Sequence, residues 1–410
     1  MTSREPIVIV GAGPVGLTLA LALVESDIPV VVLEAASSLS TEWRASTFHP
    51  PTLELLAPLG VTFDMLVGGL VAHRYQHRDM ELPEIAEFDL SVLHRDTPYP
   101  YRLQYEQYKL TAALESRLLR SGLAEIRFDH RVVAVDQDGS EAVAEVASPA
   151  GSSQIRAPYV IGADGANSSV RKSLEVPFEG DTYPHEYVLI STDFPFDRAI
   201  PGLSHVNYIS GPDDHYLVLR IPDVWRVLFS VEAGAEPGPP VTDARIRGCL
   251  DAVAAGAGDA PVLNVQQYRI HQRVADRFRE GRIVLIGDAA HVNSPFGGLG
   301  LNSGIHDVFD LAPRLARAYA DDEADEALDA YSDRRRDVAL RYVRQVSDRN
   351  TRMVSERDRE TRAANIARLA ALADDPRLAR EHLLETTMLN AVREQQLGLP
   401  EPTRLVEPTS

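Results

Sequence analysis

One stretch near the start of the chain limits its architecture more than any other: Ile7-Val8-Ile9-Val10 runs directly into Gly11-Ala12-Gly13-Pro14-Val15-Gly16. An unbroken apolar run suits a parallel strand buried on both faces, and the G-x-G-x-x-G that follows gives each glycine a task. Gly11 permits the tight turn, Gly13 lets the backbone approach a pyrophosphate, and Gly16 allows the next helix to pack against the strand. Residues 17–25 are good helix formers, so a helix N-terminus aims its partial positive charge at the same place. Residues 29–33 read as a second buried strand ending at Glu34, whose carboxylate can accept from ribose hydroxyls. A plain tight turn would explain the glycines alone. The strand, helix, strand and acidic end together predict a Rossmann-type dinucleotide site, without deciding between FAD and NAD.

The same rhythm returns twice. Residues 159–161 read as a strand leading into Gly162-Ala163-Asp164-Gly165, and the run through Ser168 to Arg171 opens a helix. Residues 282–286 read as a strand leading into Gly287-Asp288, followed by a glycine-rich loop and a long helix from about Ser303. Between these lie an amphipathic helix over 109–119, strands over 126–135 and 141–146, and a turn at 148–153. Residues 216–221 and 225–231 alternate in side-chain type around Pro222-Asp223, which predicts an antiparallel hairpin. Residues 234–240 form a Gly/Pro-rich loop. The fold expected is α/β. A discontinuous Rossmann-type cofactor domain covers 1–72, 103–178 and 275–341. A mostly antiparallel β-sheet domain, inserted over 73–102 and 179–274, would carry the substrate, and a helical segment over 342–410 closes the chain.

A length of 410 residues suits two or three domains. The net charge of −19 opposes encounter with nucleic acid or anionic membrane, and the arginines of 333–362, interleaved with acids, read as a solvated helix face. Cys249 is the only cysteine, which excludes an intramolecular disulfide and any flavin–dithiol machinery. No charged-then-apolar leader precedes the first strand, and the apolar stretch over 15–24 is about half a membrane span. A cytoplasmic location is expected.

The second motif extends as Gly162-Ala163-Asp164-Gly165-Ala166-Asn167-Ser168-Ser169-Val170-Arg171. The third runs from Gly287-Asp288-Ala289-Ala290-His291 through Ser294-Pro295-Phe296-Gly297-Gly298-Leu299-Gly300-Leu301-Asn302. In this order the three motifs resemble the p-hydroxybenzoate hydroxylase family of single-component, group A FAD-dependent aromatic monooxygenases. The resemblance implies FAD, with Asp288 accepting from the ribityl hydroxyls and Asp164 near the pyrophosphate, holding its own turn. It places Pro295 to Asn302 along the isoalloxazine, where Gly297, Gly298 and Gly300 let backbone come near a flat ring and Leu301 and Asn302 lead into the next helix. Arg171 would steady Asp164 or meet an incoming nicotinamide nucleotide. Arg44 matches a position that meets FAD phosphates or that nucleotide, and Gln107 matches a glutamine beside the flavin, with Gln104 as a competing choice.

The activity implied is hydroxylation of a phenolic or heteroaromatic substrate with NADH or NADPH and O2, through a flavin C4a-hydroperoxide. The flavin carries the chemistry, so no side chain is expected to be catalytic, and Pro295 contributes backbone near the ring. The family places substrate between flavin and antiparallel sheet. Alternation over 215–221 puts Tyr216, Val218 and Arg220 on one face. There Arg220 would bind an acidic substrate or a phenolate, with Tyr208 a similar candidate; an edge-strand arginine in solvent is the plain alternative. The same flavin chemistry also serves Baeyer–Villiger oxidation, epoxidation or oxidative ring-opening. Rivals of other classes are a non-oxygenating FAD-binding reductase or binding protein, and a NAD-dependent dehydrogenase built on the first motif alone. Trp43 and Trp225 are the only tryptophans, so the W-x-W-x-I-P signature of flavin halogenases is missing. His291 is expected to pack rather than catalyse. His49 and the pair His73 and His77 lack further ligands at convincing spacing, so no metal is expected. The partners expected are a small aromatic and O2, with the protein a monomer or homodimer.

Overall fold

In the computed structural model, residues 5–232, 238–320 and 325–397 are described. Most of the loop expected at 234–240 and the tail beyond 397 lie outside them.

Ile7–Val10 occupies an interior position of a six-stranded sheet, with all of its side chains buried. Burying each such Ile or Val contributes roughly 1.5–3 kcal/mol. Val30–Leu33 and then Ala124–Arg127 lie parallel to it on one side, and Val160–Gly162 and then Ile283–Leu285 on the other. Arg279–Glu280 closes that edge antiparallel. The helix Pro14–Val24 is buried nearly all round, because it contacts both Leu299–Ala320 and Gln107–Ser121 as well as the sheet. All the strands that precede the glycine motifs therefore end at one edge of a single sheet.

The strand expected over 126–135 is two strands. Ala124–Arg127 ends in the parallel sheet, and Arg131–Gln137 starts a separate three-stranded antiparallel sheet with Ala142–Ser148 and Gly151–Ala157. The break lies at Asp129, which adopts φ 56°, a left-handed conformation that Asp tolerates better than most residues. Apolar residues on both sides hid it.

A second, eight-stranded sheet carries the remainder. Its order is His291–Val292, Val262–Ala275, Phe178–Thr192, Trp225–Glu232, Tyr216–Arg220, Val206–Ser210, Arg74–Asp79 and Ala86–Asp89. The hairpin around Pro222-Asp223 closes through Ile221 N–H donating to Val224 O at 2.9 Å. The first strand of this order belongs to the third glycine motif, so that motif joins the two large sheets. One face of the eight-stranded sheet buries Trp225, Tyr216 and Val218 with Phe196 and the helix Asp243–Val253. The other buries Tyr75, Tyr187, Tyr208 and Leu217 with Phe296 and the C-terminal helices.

Those helices, Arg344–Val354, Arg359–Asp374 and Pro376–Thr386, are held over the sheet by ion pairs. Arg362 meets Asp79 at 2.6 Å with both side chains buried, and Arg380 meets Asp96 at 2.6 Å. None of the described helices is long and apolar enough to cross a membrane.

Candidate active site

The three glycine motifs come together around Val15. A Cβ on Gly11, which has φ 105°, would stand 2.5 Å from the carbonyl oxygen of Ala163, so the first and second turns touch through backbone that no side chain would permit. Cβ atoms on Gly287 and Gly304 would stand 3.2 Å and 2.8 Å from the Val15 side chain, which brings the third turn and the helix after it to the same point. Glu34 accepts from the N–H groups of Ala12 at 2.8 Å and Ala36 at 2.9 Å, holding the first turn open. Gly13 caps the first helix with no side chain bonded to the free N–H groups there, the arrangement that receives a phosphate.

Asp164 accepts from the backbone and hydroxyl of Ser169 at 2.7 and 3.0 Å, at the start of the short helix Ser169–Ser173 that Ser168 caps; its other oxygen is buried without a protein partner. Arg171 is buried. It donates to the carbonyls of Ala166 at 2.7 Å and Ala289 at 2.9 Å and lies 3.8 Å over the Phe178 ring. It ties the second motif to the third, with donors engaged by backbone carbonyls.

The third motif is anchored by Asp307, from the helix that follows it. One of its oxygens accepts from Gly287 N–H at 3.0 Å and from His291 Nε2 at 2.9 Å, while the other accepts from Arg335 Nε at 2.6 Å. Burial alone would raise its carboxyl pKa, but His291 and Arg335 outweigh burial and hold it at about 2. His291 also stacks on Phe278. Asp288 differs from Asp307: its side chain is exposed by surface area yet walled by protein, and this desolvation raises its pKa against the opposing charges of His291 and Arg44. The exposure leaves its carboxylate open to a ligand, and Arg44 stands close enough to act on it.

The loop after this turn is shaped by Gly297 and Gly298, at φ 111° and 69°. The long helix starts directly after them at Leu299, not at about Ser303, so Gly300, Leu301 and Asn302 form its first turn. Two left-handed glycines end the loop abruptly, and nothing in Leu-Gly-Leu-Asn opposes a helix. Asn302 is committed to the protein: it accepts from His49 N–H at 2.9 Å and the Thr52 hydroxyl at 2.6 Å, and donates to Thr47 O at 2.8 Å and Gly298 O at 2.6 Å. His49 donates from Nε2 to Gly297 O at 2.7 Å, since a carbonyl can only accept. Burial, helped by the Arg102 charge, lowers its pKa to about 3 and keeps it neutral. Pro295 O accepts from Gly298 N–H at 3.0 Å. Gln104 is buried and takes the Thr47 hydroxyl at 3.0 Å, whereas Gln107 is half-buried at the start of its helix with its N–H on Ala45 O at 3.1 Å. Arg44 is exposed and paired with Glu42 at 2.7 Å.

These turns, with their bare helix end and open carboxylate, fit a dinucleotide. A family model described as "FAD binding domain" matches residues 4–346. The chain is 35% identical over 404 residues to para-nitrophenol 4-monooxygenase from Pseudomonas sp. (strain WBC-3), covering 96% of this chain and 98% of the relative. It is 36% identical over 359 residues to 6-hydroxy-3-succinoylpyridine 3-monooxygenase from Pseudomonas putida (strain DSM 28022 / S16), covering 85% and 88%. The crystal structure of p-nitrophenol 4-monooxygenase from Pseudomonas putida DLL-E4 superposes with a TM-score of 0.88 at 33% identity, over 95% of this chain and 99% of the other. This chain is a group A FAD-dependent aromatic monooxygenase.

Beside the Gly297-Gly298 loop this monooxygenase has a cavity of about 300 Å³, between the eight-stranded sheet and the helices Arg344–Val354, Arg359–Asp374 and Pro376–Thr386. Tyr208 and His77 stack in its wall at 4.9 Å, and the Tyr75 hydroxyl meets His382 Nε2 at 3.1 Å. The Arg102 guanidinium lies 4.1 Å over the Tyr75 ring and donates to the Tyr208 hydroxyl at 3.2 Å. Asn350, also in the wall, donates to Phe296 O at 3.3 Å, so the cavity and the loop of the third motif share a boundary. Burial lowers His77 to about 3 and His382 to about 4, with neighbouring cations adding to the effect.

Of the three substrate residues expected from sequence, only Tyr208 reaches this cavity. Register explains why: Tyr208 pairs with His77 on one side and Leu217 on the other, whereas Tyr216 pairs with Ile209. Directly paired residues share a face, so Tyr216 points away, into the core around Cys249. Arg220 pairs with Trp225 and lies 5.7 Å over its ring on that far face. Tyr75, His77, Arg102, Asn350 and His382 also line the cavity, and none of them was expected there from the sequence.

Proposed function

We propose that this monooxygenase hydroxylates a small phenol or hydroxylated N-heteroaromatic, with NADH or NADPH as electron donor and O2 as oxygen source, and that the ring occupies the cavity walled by Tyr75, His77 and Tyr208. The hydrogen bond from Asn350 to Phe296 O carries this reading, because it sets the cavity against the loop that would run along the isoalloxazine. A cavity of about 300 Å³ lies at the small end of ligand sites, which favours one substituted ring. The names of the two Pseudomonas relatives, a nitrophenol and a hydroxypyridine monooxygenase, agree with that class.

When bound, FAD supplies the activated oxygen. The chain's own residues do the rest. Gly11, Gly13 and Gly16 with the first helix would receive the diphosphate, Glu34 a ribose, and Asp288 the ribityl hydroxyls. Asp164 and Arg171 hold the second turn against the first and third. Pro295, Gly298, Gly300, Leu301 and Asn302 would face the ring edge, and Asn302 with His49 fixes the loop before substrate arrives. Arg44 and Gln107 flank the same opening. Aromatic walls and Met353 would keep water from the reacting carbon. The 1–72, 103–178 and 275–341 segments form the flavin unit in this reading, and a cytoplasmic setting would provide the donor.

The test is turnover of 4-nitrophenol and hydroxypyridines under labelled O2. Incorporation of one labelled oxygen with substrate-stimulated NAD(P)H oxidation supports the proposal; oxidation of NAD(P)H without any labelled product defeats it.

A further inference from the structure

Arg102 is almost wholly buried, at 3% exposure, on the strand Arg102–Gln104. Among the described residues its one hydrogen bond goes to the neutral Tyr208 hydroxyl, and its Nε is buried without a partner. No described carboxylate pairs with it. Of the other buried arginines, Arg335 has Asp307 and Arg362 has Asp79, while Arg171 and Arg226, away from the cavity wall, each donate to a backbone carbonyl; Arg102 has neither a carboxylate nor a carbonyl. A guanidinium taken out of water without a counter-charge is costly, and such a group persists when something else supplies the charge.

The surroundings do not supply it. The two carboxylates in the cavity wall are engaged elsewhere, Glu385 with Arg349 and Glu381 with Arg377. Arg368, exposed to solvent at the rim, adds positive charge and no counter-charge. His77 and His382 are neutral above about pH 4 and leave the balance unchanged.

We infer that Arg102 anchors an anionic oxygen of the substrate, so that the cavity selects ionised rings over their neutral analogues. A planar fork of donors beside a hydroxyl suits an oxyanion attached to a flat ring. The anion is either the ring's own phenolate or a carboxylate substituent. The inference rests on the cavity being the substrate site.

The experiment measures binding of 4-nitrophenol, 4-nitrobenzoate and neutral 4-nitroanisole to the FAD-loaded enzyme across pH, with FAD content and melting followed for each variant. Wild type should bind 4-nitrophenol more tightly as that ligand ionises, and 4-nitroanisole without pH dependence. Arg102→Gln should weaken the anion by about tenfold or more and flatten its pH profile, leaving 4-nitroanisole unaffected. Arg102→Lys, which keeps the charge, should retain the profile even if the Gln variant folds poorly. Dependence on Arg102 for 4-nitrobenzoate alone assigns the anion to a carboxylate substituent, and for 4-nitrophenol to the phenolate. An unchanged preference for anion over neutral analogue in Arg102→Gln overturns the inference. Met353→Trp, which fills the cavity, tests the underlying reading separately: undiminished binding there would remove the cavity from consideration whatever Arg102 does.

Discussion

Asp307 and Arg335 face each other at 2.6 Å with 0% and 1% of their side chains exposed, and through them the third glycine turn is fastened to two helices. Asp307→Asn leaves the Arg335 charge buried without compensation, and breaking such a pair typically costs about 3–5 kcal/mol. Urea unfolding should show a loss of that order, together with weaker FAD retention because one amide oxygen cannot serve both Gly287 N–H and Arg335. Stability unchanged within error would show that the pair is dispensable.

The same carboxylate has a signature in acid. Its folded pKa of about 2 lies below the ordinary 3.8, so the folded state binds this proton less readily than the unfolded chain. The stabilisation is therefore present above about pH 4 and lost as pH falls towards 2, amounting to on the order of 2 kcal/mol. The Asn variant should lack this limb of the stability profile in denaturant titrations.

Buried histidines shape the range above. Burial lowers His49 to about 3, reinforced by Arg102, and His215 to about 4, reinforced by His185. Each is neutral when folded but takes a proton in the unfolded chain below about 6.5, so stability falls with pH from there down to the folded values. Each group contributes about 1 kcal/mol per pH unit. His215→Phe, outside the glycine motifs, should flatten the decline between pH 6 and 4; an unaltered slope would exclude His215 as its source.

How much of this was legible in the sequence follows from the physics of each part. The central strand Ile7–Val10 is buried on both faces, which writes an unbroken apolar run, and a glycine turn is a local necessity. The strand Tyr216–Arg220 is also covered on both faces, so alternation along it carries no sign of which side meets the cavity, and Arg220 lies on the side away from it. Tyr75, Arg102, Asn350 and His382 reach the cavity from separate segments, a meeting that register and helix docking create and no spacing announces. Asp307 was more accessible: a carboxylate among Ile305, Val308 and Leu311 on one amphipathic helix needs a partner.

Arg220 supplies the corresponding negative test. Because it lies over Trp225 on the face away from the cavity, Arg220→Gln should leave substrate KM and its pH dependence as in wild type. A KM raised tenfold with normal FAD content would show that the far face binds substrate after all.

Asp288 is the sharpest test of cofactor placement. Its carboxylate is accessible and within the influence of Arg44, in the turn that also meets Val15 beneath the first glycine motif. As an ionised acceptor for two ribityl hydroxyls it would contribute about 1.5–3 kcal/mol, or roughly ten- to a hundredfold in affinity. Asp288→Ala should lose FAD on dialysis while circular dichroism stays native, because no described protein hydrogen bond depends on this side chain. Asp288→Asn, which keeps one acceptor oxygen, should fall between. Flavin absorbance per mole of protein reads the outcome directly, and full retention by the Ala variant would move the ribityl contact to another residue.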